Sequence, residues 1–440
     1  MTAAFRAGMV GAGHICEFHV AAVTSLPGVE LVGITDLDGT RARANAARWG
    51  TKAYADLEAL VAAGANVIHV LTPPSAHGKV AIAALERGCH VLVETPIAED
   101  EADANKLGAI AAAKGLTVSV NHSLLYDPQV KRALAAVMAG AIGNVACVEI
   151  LRGSEYPPYE GGPLPPWYRA AGYPFRDLGV HCMYLVQALL GTIEDVRGDW
   201  RSLGHDPNFA FDGWRGIVRC ARGTGELELT WNTRPMRSQL IIHGTKGVLR
   251  VDLFAKPKAA ERLVHAFADS IQPLIDVRKL VRAHRGLRDL VADFYRRLAA
   301  HEPPAVSVAD AANVVRWVDK IARAADADHV ERVAKFAVSE HVPYLVTGAS
   351  GSVGQAVVKR LRADGHRVRV FVRRIPARVE SGIEYCFGNL GDPVAVDRAV
   401  RGAGIVIHAG ASMKGGWPEH KGGTVVGTQN VIDACIKHRT

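Results

Sequence analysis

From Phe5 to His122 short apolar runs alternate with amphipathic stretches, and at Val342 the same alternation begins again. The first series reads as strands over Phe5–Val10, Glu30–Thr35, Val67–Leu71, His90–Val93 and Leu116–Val120, with helices near 14–25, 39–49, 55–63, 76–88 and 100–114. Such alternation leaves little but a parallel sheet covered on both faces, because each parallel connection must cross back over the sheet. The second series, PYLVTGASGSVG, HRVRVFV, IEYCFG and GIVIHAG, predicts another sheet of the same architecture. Between them strands fall near 145–151, 193–201, 214–221, 225–232 and 239–243, with loops rich in proline and glycine and one helix near 177–190. Few helices among many strands predict an open, mostly antiparallel sheet, followed by helical residues 257–335 interrupted at HEPP. The fold class is therefore α/β: a nucleotide-type domain over 1–122, an α+β open-sheet domain over 123–335, a linker, and a second nucleotide-type domain over 342–440. That last domain stops just after a helix, where a strand is due, so we expect a fragment of a longer protein.

The composition, 49% hydrophobic and 22% charged, is globular. Seven scattered cysteines without a C-x-x-C pair predict reduced thiols, and neither a disulfide framework nor a metal site. No apolar run reaches the roughly 18 residues of a membrane span, and the first strand starts without a secretory signal, so a cytoplasmic protein with no membrane partner is expected. The net charge is +8, but the basic residues are not interleaved with aromatics, and no nucleic-acid partner is expected. Their densest cluster, VRKLVRAHRGLRDL, reads as the wet face of an amphipathic helix carrying Val277, Leu280, Val281, Leu287 and Val291. A surface for anionic substrates is the other reading.

MVGAGHICEFH places Gly11, Ala12, Gly13, His14 and Ile15 between a strand and a helix. Glycine there allows a tight turn and lets backbone approach a pyrophosphate at the helix N-terminus, the Rossmann arrangement. Asp36 ends the next strand, about 20 residues on, where an acid grips a ribose 2′-hydroxyl, favouring NAD over NADP. A turn serving only packing is the alternative. In a doubly wound sheet, ligands lie outside the carboxyl ends of the strands. Thr72, Pro73 and His77 of LTPPSAH, Glu94 and Thr95 of VETP, and Asn121, His122 and Tyr126 beyond the last strand therefore face the cofactor.

Together G-A-G-H-I, Asp36, T-P-P-x-x-H, G-x-H-V-x-x-E-x-P and D-x-G-x-H resemble the glucose–fructose oxidoreductase/inositol dehydrogenase (Gfo/Idh/MocA) family over residues 5 to about 330. The resemblance implies an NAD(P)-dependent oxidoreductase acting on a sugar, cyclitol or nucleotide-sugar hydroxyl, with an open-sheet domain that holds substrate and forms homo-oligomers. In that family the middle residue of E-x-P is a lysine near the nicotinamide and the reacting hydroxyl. Here it is Thr95. FRDLGVHCMYLVQALLG carries Asp177 and His181, four apart and so on one helical face. A neutral imidazole can take a hydroxyl proton, and a nearby carboxylate can orient it. A capping aspartate and a satisfied core histidine form the competing reading. A cation about 4 Å from a developing alkoxide contributes roughly 4 kcal/mol at an effective dielectric of about 20, against about 1 kcal/mol for a threonine hydrogen bond. Arg152, Arg169 and Arg176 are candidates to replace the lysine charge and bind substrate, with Tyr168 and its neighbours Tyr156, Tyr159 and Trp167 stacking on a sugar ring.

VTGASGSVGQAVVKRL sets Gly348, Gly351, Ser352 and Gly354 between strand and helix as a second phosphate cradle. The next strand ends at Arg373 and Arg374, which suit a 2′-phosphate and so NADP, and Asn389–Leu390 stands where adenine would lie. This half resembles the extended or atypical short-chain dehydrogenase/epimerase family, whose catalytic Tyr-x-x-x-Lys is absent, since no tyrosine follows Tyr385. The leading expectation is a sugar oxidoreductase fused to the start of an epimerase/dehydratase-like domain. A cofactor-binding scaffold, or redox-assisted elimination or epimerisation without net NADH, are the alternatives.

Overall fold

The computed structural model describes residues 5–153, 170–202, 209–230, 233, 237–253, 285–336, 338–375, 378–412 and 420–440. The first domain contains β1 (Phe5–Val10), α1 (His14–Thr24), β2 (Val29–Thr35), α2 (Gly39–Trp49), β3 (Lys52–Tyr54), α3 (Leu57–Ala62), β4 (Val67–Val70), α4 (Pro74–Glu86), β5 (His90–Val93), α5 (Glu101–Lys114) and β6 (Val118–Val120). Its parallel sheet runs β3-β2-β1-β4-β5-β6, so the order reverses at β1, beside the glycine turn. A central strand buried on both faces is mostly apolar, and Val67, Ile68 and Val70 of β4 are fully buried, with His69 the polar exception. Three of its helices have a side-chain reason to start: Asp38, Asp56 and Asp100 accept from first-turn N–H groups of α2, α3 and α5.

The second domain follows with α6 (Pro128–Met138), β7 (Val145–Gly153), α7 (Val180–Leu190), β8 (Ile193–Arg201), β9 (Gly213–Cys220), β10 (Gly223–Thr230), β11 (Ser238–Gly244) and β12 (Gly247–Asp252). Its sheet runs β12-β11-β7-β10-β9-β8, antiparallel except where β7 meets β10. The strands alternate buried and exposed residues, one face covered by α7 and the other uncovered among the described residues. Two elements escape the sequence reading. β3 is a short edge strand with little apolar signal, and α6 starts at Asp127-Pro128, a pair that also reads as a turn.

Helices α8 (Arg285–Ala299) and α9 (Val308–Ala334) return to the first domain. Leu287, Leu290, Val291 and Phe294 of α8 pack with α1 on one face of the first sheet. Residues 277–284 of the expected basic helix lie outside the described residues. Ser307 caps α9, accepting from the Asp310 N–H at 3.0 Å, an arrangement that contributes about 1 kcal/mol. α9 buries Ala311, Ala312 and Val315 against the first domain and Val314, Val318 and Ile321 against the second. Just past its end, Phe336 packs on Tyr385 and Phe387, so the expected linker is pinned to the third domain.

That third domain holds β13 (Val342–Thr347), α10 (Ser352–Ala363), β14 (Val368–Val372), β15 (Ile383–Phe387), α11 (Pro393–Val400), β16 (Ala403–His408) and α12 (Gly427–His438). Its four parallel strands run β15-β14-β13-β16. No helix among the described residues is long and apolar enough to cross a membrane.

Candidate active site

The first glycine turn is built for a close approach. Gly11 has φ +106°, and a Cβ there would lie 2.5 Å from the Leu71 carbonyl oxygen, so only glycine serves. Gly13 caps α1 without a side-chain acceptor, and a Cβ added there meets nothing within 4 Å. Among the described residues no side chain caps the first turn of α1, an arrangement that suits an anion. Asp36 reaches the turn from the end of β2: Oδ2 accepts from the Ala12 N–H at 2.7 Å and Oδ1 from the Asp38 N–H at 2.7 Å. His14 is exposed and Ile15 half-buried on the first turn of the helix.

Three buried polar atoms stand without partners among the described residues at the sheet's carboxyl edge: Thr72 Oγ1, Asn121 Oδ1 and His122 Nδ1. Leaving such an atom unpaired costs about 1–3 kcal/mol. Their grouping at the ends of β4 and β6 fits a ligand that supplies the missing bonds. Between them, Glu94 accepts through Oε1 from His19 Nε2 at 2.7 Å and from Asn121 Nδ2, while Oε2 accepts from the Thr95 N–H at 3.3 Å. Thr95 is half-buried and precedes a cis Pro96. Pro73 caps α4. His77 departs from its expected role. Its two ring nitrogens lie 2.7 Å from the carbonyl oxygens of Pro96 and Thr72, so the ring ties two strand-end loops together and keeps no nitrogen for a cofactor.

The second domain presents its own groups to this edge. A π-helical turn, Phe175–Gly179, runs into α7 and carries Asp177 just ahead of His181. Helix begins before Asp177, so the aspartate is not a cap. The Tyr184 ring stacks on His122 at 4.1 Å, and its hydroxyl accepts from the Leu124 N–H at 3.2 Å. His181 Nδ1 lies 3.1 Å from that hydroxyl. Helix α7 is thereby docked on the segment leaving β6. Burial pushes His181 well below the usual imidazole range, helped by Arg152 and His122. Burial alone takes His122 down to about 3. Asp177 is pushed up to about 6 by burial, against the pull of Arg152 and a hydrogen bond from Tyr173. Arg152, near the end of β7, therefore acts on both Asp177 and His181.

Other expected residues go elsewhere. Arg176 pairs with Asp326 at 2.8 Å and Asp319 at 3.3 Å on α9, which makes it an interhelix tie, not a substrate ligand. Tyr126 donates to Asp293 of α8 at 2.7 Å, away from the cleft. Tyr168 and Arg169, with Tyr156, Tyr159 and Trp167, lie outside the described residues. Sequence reading missed Tyr184, His19, His69 and Tyr295. His69 carried a signal, a polar residue inside the otherwise apolar run VIHV, as did His19 on the buried side of α1.

In the third domain Gly348 has φ +65°, and a Cβ on it would lie 2.5 Å from the Ala409 carbonyl oxygen; Gly354 backs directly onto Gly348. Gly351 caps α10, which starts at Ser352, with no side-chain acceptor, giving a second open helix N-terminus. Asn389 Oδ1 accepts from the Gly391 N–H at 2.9 Å, and the Leu390 carbonyl accepts from Asn430 at 2.8 Å. Arg373 and Arg374 line a cleft of about 880 Å³ together with Asn389, Arg398, Arg332 and Arg201.

A doubly wound sheet with an open glycine turn, joined to an open mixed sheet that docks polar groups over its edge, defines a class of nucleotide-cofactor oxidoreductase folds. Residues 5–122 match the oxidoreductase family NAD-binding Rossmann fold, and residues 130–250 match the GFO/IDH/MocA C-terminal domain. The chain belongs to the Gfo/Idh/MocA family, and residues 348–440 add an NAD(P)H-binding domain. It is 29% identical over 126 residues to UDP-N-acetylglucosamine 3-dehydrogenase of Acidithiobacillus ferrooxidans, spanning 29% of this chain and 39% of that relative. It is 26% identical over 321 residues to dTDP-3,4-didehydro-2,6-dideoxy-alpha-D-glucose 3-reductase of Streptomyces antibioticus, covering 72% of this chain and 95% of the reductase. Its fold is similar to that of the WlbA dehydrogenase of Bordetella pertussis, solved with NADH and UDP-GlcNAcA, with a TM-score of 0.59, 21% identity and coverage of 74% and 96%.

Proposed function

We propose that the chain is an NAD-dependent oxidoreductase acting on a secondary hydroxyl, or the matching ketone, of a sugar or nucleotide sugar. One observation carries this reading: His181 and Tyr184 of the second domain are docked against the segment leaving β6, beside the orphaned polar atoms of the first sheet's edge. The residues that would hold NAD are Gly11, Ala12 and Gly13 around the pyrophosphate, Asp36 at the adenosine ribose, and Thr72, Glu94 and Asn121 towards the nicotinamide. NAD, when bound, takes up or supplies the hydride. His181 takes the hydroxyl proton. In the tautomer that carries its hydrogen on Nδ1, facing the Tyr184 hydroxyl, the lone pair for that proton is on Nε2. Its depressed pKa keeps the ring neutral at pH 7, the state a base requires. Arg152 supplies the positive charge that Thr95 does not, acting on an oxygen held near Asp177 and His181. The nucleotide-sugar class is favoured by the names of the relatives just described.

We further propose that Gly348, Gly351, Ser352 and Gly354 hold a second, NADP-type cofactor with Arg373 at its 2′-phosphate. The open, solvent-facing side of the second sheet, where Ile217 is 55% exposed, pairs two copies of the chain. The test is NAD⁺ titration of the full chain, followed by a panel of nucleotide sugars and polyols with absorbance and product analysis. Reduction of NAD⁺ by one sugar class, abolished in His181→Ala, is expected. Binding without any product would leave a cofactor-binding scaffold. Product without net NADH would instead mean elimination or epimerisation.

A further inference from the structure

A buried line of hydrogen bonds runs from α8 to Glu94. The Tyr295 hydroxyl lies 2.8 Å from His69 Nε2, His69 Nδ1 lies 2.8 Å from His19 Nδ1, and His19 Nε2 lies 2.7 Å from Glu94 Oε1. Both histidines are 0% exposed and Tyr295 is 4% exposed, so water supplies none of these partners. Two arrangements of protons satisfy the central N–N contact, since one nitrogen must carry hydrogen and the other must not. In one, His69 donates to His19, and a neutral His19 donates to a carboxylate that keeps its full charge. In the other, His19 is doubly protonated, donates to both neighbours, and neutralises Glu94 as an ion pair.

Tyr295 decides between them. Among the described residues its hydroxyl has no partner except His69, so its hydrogen has nowhere else to go. Donation into His69 Nε2 puts the His69 hydrogen on Nδ1, leaves His19 Nδ1 to accept, and puts the His19 hydrogen on Nε2 facing Glu94. Burial also holds His69 far below the imidazole range and Tyr295 far above the phenol range, so both are uncharged. Glu94 Oε1 is filled by His19 and Asn121, while among the described residues Oε2 takes only the Thr95 N–H, and the side chain is 15% exposed.

We propose that Tyr295 and His69 are positioning residues that keep His19 neutral and Glu94 fully anionic, so that the site favours the cationic, oxidised nicotinamide over the neutral reduced one. This rests on the NAD reading above for the ligand, but the proton arrangement belongs to the chain alone. Long-range ¹H–¹⁵N spectra of the histidine-labelled full chain, free of cofactor, read it directly. His69 should carry hydrogen on Nδ1 and His19 on Nε2 only. In Tyr295→Phe, His69 loses its donor and can reverse, His19 should become doubly protonated, and the ratio of NAD⁺ to NADH affinity should fall by about tenfold, one pK unit of coupling. A His69 protonated on Nε2, or a doubly protonated His19 in the wild type, overturns the proposal whatever binds. Expected tautomers with an unchanged NAD⁺/NADH ratio in Tyr295→Phe also overturn it and reduce the line to core packing. Expected tautomers in a wild type that binds neither form refute the NAD reading, and with it the role given to Glu94.

Discussion

Asp177→Asn should make the protein more stable and less active, and the size of the first effect follows from the carboxyl's surroundings. Asp177 titrates at about 6 in place of 3.8, because burial outweighs Arg152 and Tyr173. A raised acid pKa means that the folded state holds its proton more tightly than the unfolded state. The penalty is therefore absent below pH 4, grows from pH 4 to 6, and is complete above pH 6. Two pK units correspond to about 3 kcal/mol, and partial exposure trims this to about 2 kcal/mol. For a domain of this size that is roughly 4–8 °C in Tm. Asparagine removes the charge and keeps the shape. Thermal unfolding followed from pH 4 to 8 should show variant and wild type together at pH 4 and the variant higher by several degrees at pH 7. Equal stability at pH 7, or a difference that does not change with pH, would refute the assignment of a buried, ionised carboxylate.

Arg152→Met should lower kcat by about a hundredfold and move the acidic limb of the pH profile upward, because Arg152 holds Asp177 down; stopped-flow rates across pH 5–8 check both. Thr95→Lys should raise turnover by about tenfold or more by restoring a charge at the E-x-P position, measured as kcat at saturating NAD⁺. Arg373→Glu should weaken NADP⁺ binding at the third domain by about a hundredfold while leaving NAD⁺ binding at the first unchanged, read by calorimetry with each cofactor.

Periodicity made the parallel sheets legible because strands buried on both faces carry few polar residues, His69 and Arg369 being exceptions, and the glycine turns because only glycine fits against the Leu71 and Ala409 carbonyls. Short β3 and the Pro-led α6 stayed hidden, since neither has a long periodic signal. The site was legible residue by residue but not as pairs. Nothing in the local sequence says that Arg176 finds Asp319 and Asp326, residues far along the chain on α9, while Arg152 instead acts on Asp177 and His181. His77 looked like a ligand because it follows a strand end, yet its partners are backbone carbonyls of two loops that only the tertiary fold brings together.

The most direct measurement is a crystal structure of the full chain grown with NADH. The nicotinamide ring is expected between Thr95 and His181, with the Asn121 and Thr72 oxygens newly hydrogen-bonded. A ring seated away from His181, or those two oxygens still unpaired, would contradict it.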